Sequence, residues 1–172
     1  MSSQKVAVRE GRFGYEVISR RVIGCGDLIL SLGGDIVDLN ETPLPDGSRT
    51  GVVQISRTKA LDVMGPGRWI THSCDPNVGL LNDTMLVALR DIAEGEPLGL
   101  DFSTAMSENL WATLCHCGAD NCRGVIRCFH DLPAPLQDRY LSRRIVQRFI
   151  VAEHRKRSVS IDEVLSLAMR AV

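Results

Sequence analysis

Aromatic residues are scarce in this chain of 172 residues, 5% in all, and there are just two tyrosines, Tyr15 and Tyr140. Chemistry that needs a phenol has only those two candidates. No apolar run approaches the roughly 20 residues that a helix needs to cross a bilayer, so no membrane partner is expected. Formal net charge is −1, which leaves the chain as a whole without the basic footprint of a nucleic-acid binder. Met1-Ser2-Ser3-Gln4-Lys5 is polar, and no apolar segment of the signal-peptide kind follows it. The expectation is a cytoplasmic, intracellular protein, or a nuclear one if the source is a eukaryote. Apolar residues are plentiful at 44%, enough for one globular domain with a real core and room for a small appendage.

The first half reads as short strands punctuated by glycine. Residues 5–9 alternate, with Val6 and Val8 on one face. Residues 15–18, 28–30, 36–37, 52–55 and 84–88 are further strand candidates, separated by turns at Gly24 and Gly26, at Gly33-Gly34 and at Gly65-Pro66-Gly67. Asn40 to Gly51, with Pro43, Pro45 and Asp46-Gly47, is a loop. After Gly124 the pattern changes. Leu136, Tyr140, Ile145 and Phe149, with Leu141 and Val146, recur near helical spacing, and Pro135 suits a first helical turn. Ser160-Ile161-Asp162-Glu163 has the form of a capping box before a last amphipathic helix. Seven Lys/Arg and one acid lie between Arg139 and Arg157, a solvated face or a docking surface for an acidic partner or nucleic acid.

Cys115, Cys117 and Cys122 form a C-x-C-x4-C array. In a reducing compartment, clustered thiols are metal ligands more often than bridges. A structural zinc takes four ligands in a tetrahedron, so a fourth must come from elsewhere. Cys74, His116, Cys128 and His130 all qualify, and spacing alone does not rank them.

Two stretches carry a resemblance. Arg68-Trp69-Ile70-Thr71-His72-Ser73-Cys74-Asp75-Pro76-Asn77 resembles the RFxNHSCxPN signature of SET-domain protein methyltransferases, and Cys115 to Gly124 resembles their post-SET zinc motif, CxCx4CRG. Arg90 to Leu98 is similar to the family's RDIxxGEEL, followed by Leu100-Asp101-Phe102 where FDY is usual, and residues 14–29 are similar to its N-terminal glycine turn. The resemblance covers residues 10–130. It implies a β-rich α+β fold: several small β-sheets, a pseudoknot-like crossing of chain segments, a post-SET zinc loop and C-terminal helices. The implied division is 1–114 for the SET domain, 115–130 for the zinc loop and 131–172 for a C-terminal helical extension.

The same resemblance implies transfer of a methyl group from S-adenosylmethionine to an amine, usually a protein lysine, with a small amine as the other substrate class. It makes Cys74, Cys115, Cys117 and Cys122 the zinc ligands. It places Gly14, Tyr15, Glu16, Arg68, Thr71 and His72 against the cofactor, with Trp111 and Leu114 where the family packs adenine, and gives Asn77 the crossing to hold. His72 and Phe102 occupy the positions closest to the chemistry. Three residues depart from the pattern on the functional side. Glu16 stands for a glycine, Thr71 for an asparagine, and Phe102 for a tyrosine whose hydroxyl lies near the methyl group and the amine. The strand over 51–55 also lacks the family's second tyrosine. These departures leave a second expectation beside the first, a SET-like protein with lost or redirected catalysis that serves as a binding module or acts on a small molecule.

Overall fold

Short apolar strands that cannot bury a face alone must stack into several small sheets. In the computed structural model, residues 5–12, 14–40, 51–107 and 112–158 are described. The strands are β1 Val6–Gly11, β2 Gly14–Ser19, β3 Leu28–Ser31, β4 Gly34–Asp38, β5 Val52–Gln54, β6 Lys59–Val63, β7 Thr71–His72, β8 Val78–Leu81, β9 Met85–Ala88, β10 Gly99–Leu100, β11 Thr113–Leu114 and β12 Val125–Ile126. β1 and β2 form an antiparallel hairpin in register from Val6 opposite Ser19 to Gly11 opposite Gly14. A three-stranded sheet has the order β4-β6-β5, a five-stranded sheet the order β3-β9-β8-β10-β7, and β11 pairs with β12. The β-rich α+β architecture is the one the sequence implied.

The five-stranded sheet contains the crossing. β10 is parallel to both neighbours and slots between β7 and β8, two strands separated by only residues 73–77. The chain from Glu96 to Leu100 is thus held inside a short loop. Asn77 secures it: its Nδ2 donates to Pro97 O and to Glu96 Oε1, both at 2.8 Å, and its Oδ1 accepts from the Gly99 N–H at 2.8 Å. The Ser73 N–H donates to Leu100 O at 3.0 Å. The fit leaves no room for a side chain at position 99, where a Cβ would lie 2.6 Å from that of Ser73.

The main core joins the hairpin to the two larger sheets through buried Val6, Val17, Ile29, Leu80, Leu86 and Leu61. A second apolar cluster, Phe129, Leu132, Tyr140, Ile145, Val146 and Ile150, anchors the C-terminal helices. The helical spacing read over 136–149 belongs to two helices. α1 spans Ala134–Ser142 with proline in its first turn. Arg144, at φ 58°, turns the chain, and α2 occupies described residues 148–158. The capping box at Ser160 and the helix after it lie outside the described residues.

Candidate active site and metal centre

β7 and the turn before it, the β1–β2 hairpin end, β5 and the chain after β10 converge on one cavity of about 1050 Å³. Gly14, Tyr15, Glu16, Arg68, Thr71, His72, Phe102 and Leu114 all line it. Trp111 lies outside the described residues. Tyr15 is half exposed, and its ring stands 5.0 Å from that of Trp69. The Glu16 carboxylate is committed to Arg9 at 2.7 Å, so its charge is compensated at the cavity edge. Arg68 reaches back to Asp62 at 2.5 Å. The Thr71 hydroxyl donates to Leu98 O at 3.5 Å. Leu114 is 68% exposed at the rim, an apolar surface that a bound ring would cover.

His72 has both ring nitrogens engaged. Nδ1 accepts the Phe102 N–H at 3.2 Å, and Nε2 lies 3.3 Å from Cys74 Sγ. Burial pushes its pKa down to about 4 against the pull of Asp101, so the ring is neutral at physiological pH. Phe102 stands edge-on to it, ring centroids 5.4 Å apart. Of the two tyrosines, Tyr15 lines the cavity. Tyr140 does not: it is the buried residue of α1, and its hydroxyl donates to Asp101 Oδ2 at 2.8 Å. The cavity wall at β5 is Val52, Val53 and Gln54, with no hydroxyl.

The cysteine array resolves cleanly. The Sγ atoms of Cys74, Cys115, Cys117 and Cys122 all lie within 4.8 Å of one another, the one metal-capable cluster of thiols, imidazoles or carboxylates among the described residues. Four thiolates about 2.3 Å from a central zinc would stand roughly 3.8 Å apart, and the Cys74–Cys115 separation is 3.7 Å. The Cys74 N–H points at Cys117 Sγ at 3.5 Å, and the Arg123 N–H at Cys74 Sγ at 3.4 Å. Burial raises Cys117, but N–H donors from Cys74 and Ala119 bring it down to about 7. Burial keeps Cys74 and Cys115 high, as expected of thiols that ionise only with a cation among them. His116, Cys128 and His130 are elsewhere: His116 lines the cavity, Cys128 precedes a 3-10 turn at Phe129–Asp131, and His130 stacks on His154.

In the sequence, Asp101 stands out only as part of Leu100-Asp101-Phe102. In the structure it is completely buried and accepts from the Ser103 N–H, Arg123 and Tyr140. An acid set between Leu100 and Phe102 in an apolar stretch was the available signal.

No family model matches the chain. It is 29% identical over 136 residues to mouse histone-lysine N-methyltransferase NSD3, a match covering 69% of this chain and 9% of that protein. It is 30% identical over 145 residues to Caenorhabditis elegans histone-lysine N-methyltransferase mes-4, covering 66% and 16%. Over 70 residues it is 39% identical to the Saccharomyces cerevisiae H3 lysine-4 specific histone-lysine N-methyltransferase, covering 36% and 6%. The chain therefore spans a small fraction of the curated relatives it matches. Among solved structures, KRYPTONITE in complex with mCHH DNA, an H3(1–15) peptide and SAH is similar, with a TM-score of 0.57 and 21% identity over 71% of this chain and 29% of that one. The signature, the crossing and the four-cysteine cluster are all in place, and the likeness to SET-domain histone-lysine methyltransferases holds in sequence and in fold.

Proposed function

We propose that the protein is an S-adenosylmethionine-dependent N-methyltransferase acting on a lysine of a protein. The observation that carries this reading is convergence. Segments 14–16, 68–72, 102 and 114, far apart in sequence, meet in one cavity beside the cysteine cluster. At about 1050 Å³ the cavity has room for a nucleoside-bearing cofactor and a lysine side chain together. When bound, S-adenosylmethionine supplies an electrophilic methyl on sulfur, which passes in line to the amine nitrogen as the C–S bond breaks; the amine proton leaves to solvent. The residues do the positioning. Gly14 and Tyr15 border the hairpin side, Arg68, Thr71 and neutral His72 the sheet side, and Leu114 the rim. Phe102, Val53 and Ile70 present a wall that disfavours an ammonium and so favours the neutral amine needed for attack.

The four cysteines hold a structural zinc in the same proposal, and 1–114, 115–130 and 131–172 act as SET domain, zinc loop and helical extension. The Lys/Arg-rich stretch from Arg139 to Arg157 is the face offered to an acidic partner. No helix among the described residues is long and apolar enough to cross a membrane, and we place the activity inside the cell, in the nucleus of a eukaryotic source.

One observation favours the second reading, lost or redirected catalysis. Position 102 and the β5 wall carry no hydroxyl, and Tyr140 is held away by Asp101. Calorimetry with S-adenosylmethionine, followed by methyl transfer to a lysine-peptide library, separates the two. Binding with transfer supports the enzyme. Binding with no transfer to any lysine peptide, or no heat at millimolar cofactor, hands the protein to the second reading.

A further inference from the structure

The Asp101 carboxylate ties together three parts of the chain. Its Oδ1 accepts from the Ser103 N–H at 3.1 Å and from Arg123 Nη2 at 2.8 Å, and its Oδ2 accepts from the Tyr140 hydroxyl at 2.8 Å. With no exposure to solvent, its oxygens rely on those donors for their hydrogen bonds. Arg123 directly follows the ligand Cys122, and its N–H points at Cys74 Sγ. On the other side of Asp101, the Phe102 N–H holds His72, which touches Cys74. Asp101, Phe102, His72, Cys74 and Arg123 thus form a closed ring of contacts, and Tyr140 joins that ring to α1.

We propose that Tyr140 is a positioning residue: through Asp101, helix α1 sets the Arg123 side of the metal cluster and the Phe102–His72 wall of the cavity. The part about the cavity rests on the methyl-transfer reading; the part about the metal cluster does not. Without the phenol, Oδ2 is a buried carboxyl oxygen that has lost its donor. The nearest remedy is Arg123, whose Nη1 is buried and has no partner among the described residues. Turning the guanidinium toward Oδ2 drags on the backbone between Cys122 and the Cys74 contact. The C-terminal helix is in this sense part of the site and not an appendage to it.

The test uses the zinc-loaded full chain and Tyr140→Phe, which keeps the ring and its packing. Zinc transfer to a colorimetric chelator is followed in time, and S-adenosylmethionine affinity is measured by calorimetry. Zinc release is expected to be roughly tenfold faster, the scale at which outer-shell changes act on metal sites, with cofactor affinity several-fold weaker. In an Arg123→Lys background the same substitution is expected to add little, since both act on one network. Zinc release within twofold of wild type would overturn the proposal, as would an undiminished tenfold effect in the Arg123→Lys background. If wild type binds no cofactor, the methyl-transfer reading fails while zinc release still decides the role of Tyr140.

Discussion

The crossing and the apolar wall of Phe102, Val53 and Ile70 border the same cavity and are built by opposite rules. At the crossing, buried polar groups are paired: Asn77 makes three hydrogen bonds to the threaded segment, and Asp101 accepts three. At the apolar wall, Phe102, Val53 and Ile70 present hydrocarbon, and Gln54 turns its amide to the Ser107 N–H and Arg57 O. The polar side holds the threaded segment in place. In the proposed reading the apolar side favours a neutral amine over an ammonium. The two depend on different residues, so geometry and the proposed chemistry can be perturbed separately.

The largest effect is expected where the crossing meets the metal. Chelation of zinc, or Cys74→Ser, cuts the tie between residues 71–78 and the β11–β12 loop. Loss of several kcal/mol should lower the melting temperature by on the order of 10 °C. Metal analysis and thermal melting by circular dichroism check this, and a melting curve indifferent to chelator would remove the zinc from the account. Next is Asn77→Ala, which strands the Gly99 N–H and Pro97 carbonyl in a buried place. A cost of about 2–4 kcal/mol in urea unfolding is expected; a change below about 1 kcal/mol would mean that the strands hold the crossing without it.

A smaller effect sharpens the other side. Phe102→Tyr should raise methyl transfer several-fold, since one hydrogen bond better made in the transition state is worth about 1 kcal/mol. Assays of both proteins on lysine peptides check it. A fall in rate with wild type active on another amine would show that the phenyl ring belongs to a redesigned pocket. The smallest effect concerns acid. Burial pushes Glu96 up, but donors from Arg90, the Ala93 N–H and Asn77 outweigh it and hold the carboxyl below its usual range. A depressed acid stabilises the fold above its unfolded pKa, near 4.5, and that contribution is lost as pH falls through the folded value. Glu96→Gln should therefore flatten the stability curve below about pH 5 by less than about 1 kcal/mol. An unchanged curve would show that the Arg90 and Asn77 contacts to Glu96 contribute nothing to stability.

Much of this was legible in the sequence because the relevant residues are close together or carry a strong pattern. The HSCDPN stretch and the cysteine array located the four-cysteine cluster, alternation located β1, and strand candidates set between turns located β2, β3, β4, β5 and β9. Six strands escaped: the two-residue strands β7, β10, β11 and β12, too short to carry a pattern, and the longer β6 and β8. β6 mixes Lys59 and Asp62 with buried Ala60, Leu61 and Val63, so neither alternation nor an apolar run marks it. β8 has Gly79 at its centre, which reads as a breaker. In the fold a Cβ there would meet Ile145 at 2.8 Å, so the glycine serves a close approach. The break at 143–147 escaped because apolar spacing continues across it while Arg144 reverses the chain. The Asp101 network was illegible for a simpler reason: its partners lie 22 and 39 positions away, beyond any local pattern.

The placement of β10 also imposes an order of assembly. β7 and β8 flank it, yet only residues 73–77 join them. If both were locked first, the slot between them would close to a segment that hydrogen-bonds on both edges. The stretch from Glu96 to Leu100 must therefore be in place before, or as, the 73–77 turn takes its final shape. β3 meanwhile waits for β9, with Leu28 pairing to Val87 across most of the sheet-forming chain. Such long-range closure costs entropy before any contact repays it. Refolding of this chain should accordingly be slow for its size, and a nascent chain cannot close its central loop until residue 100 has left the ribosome.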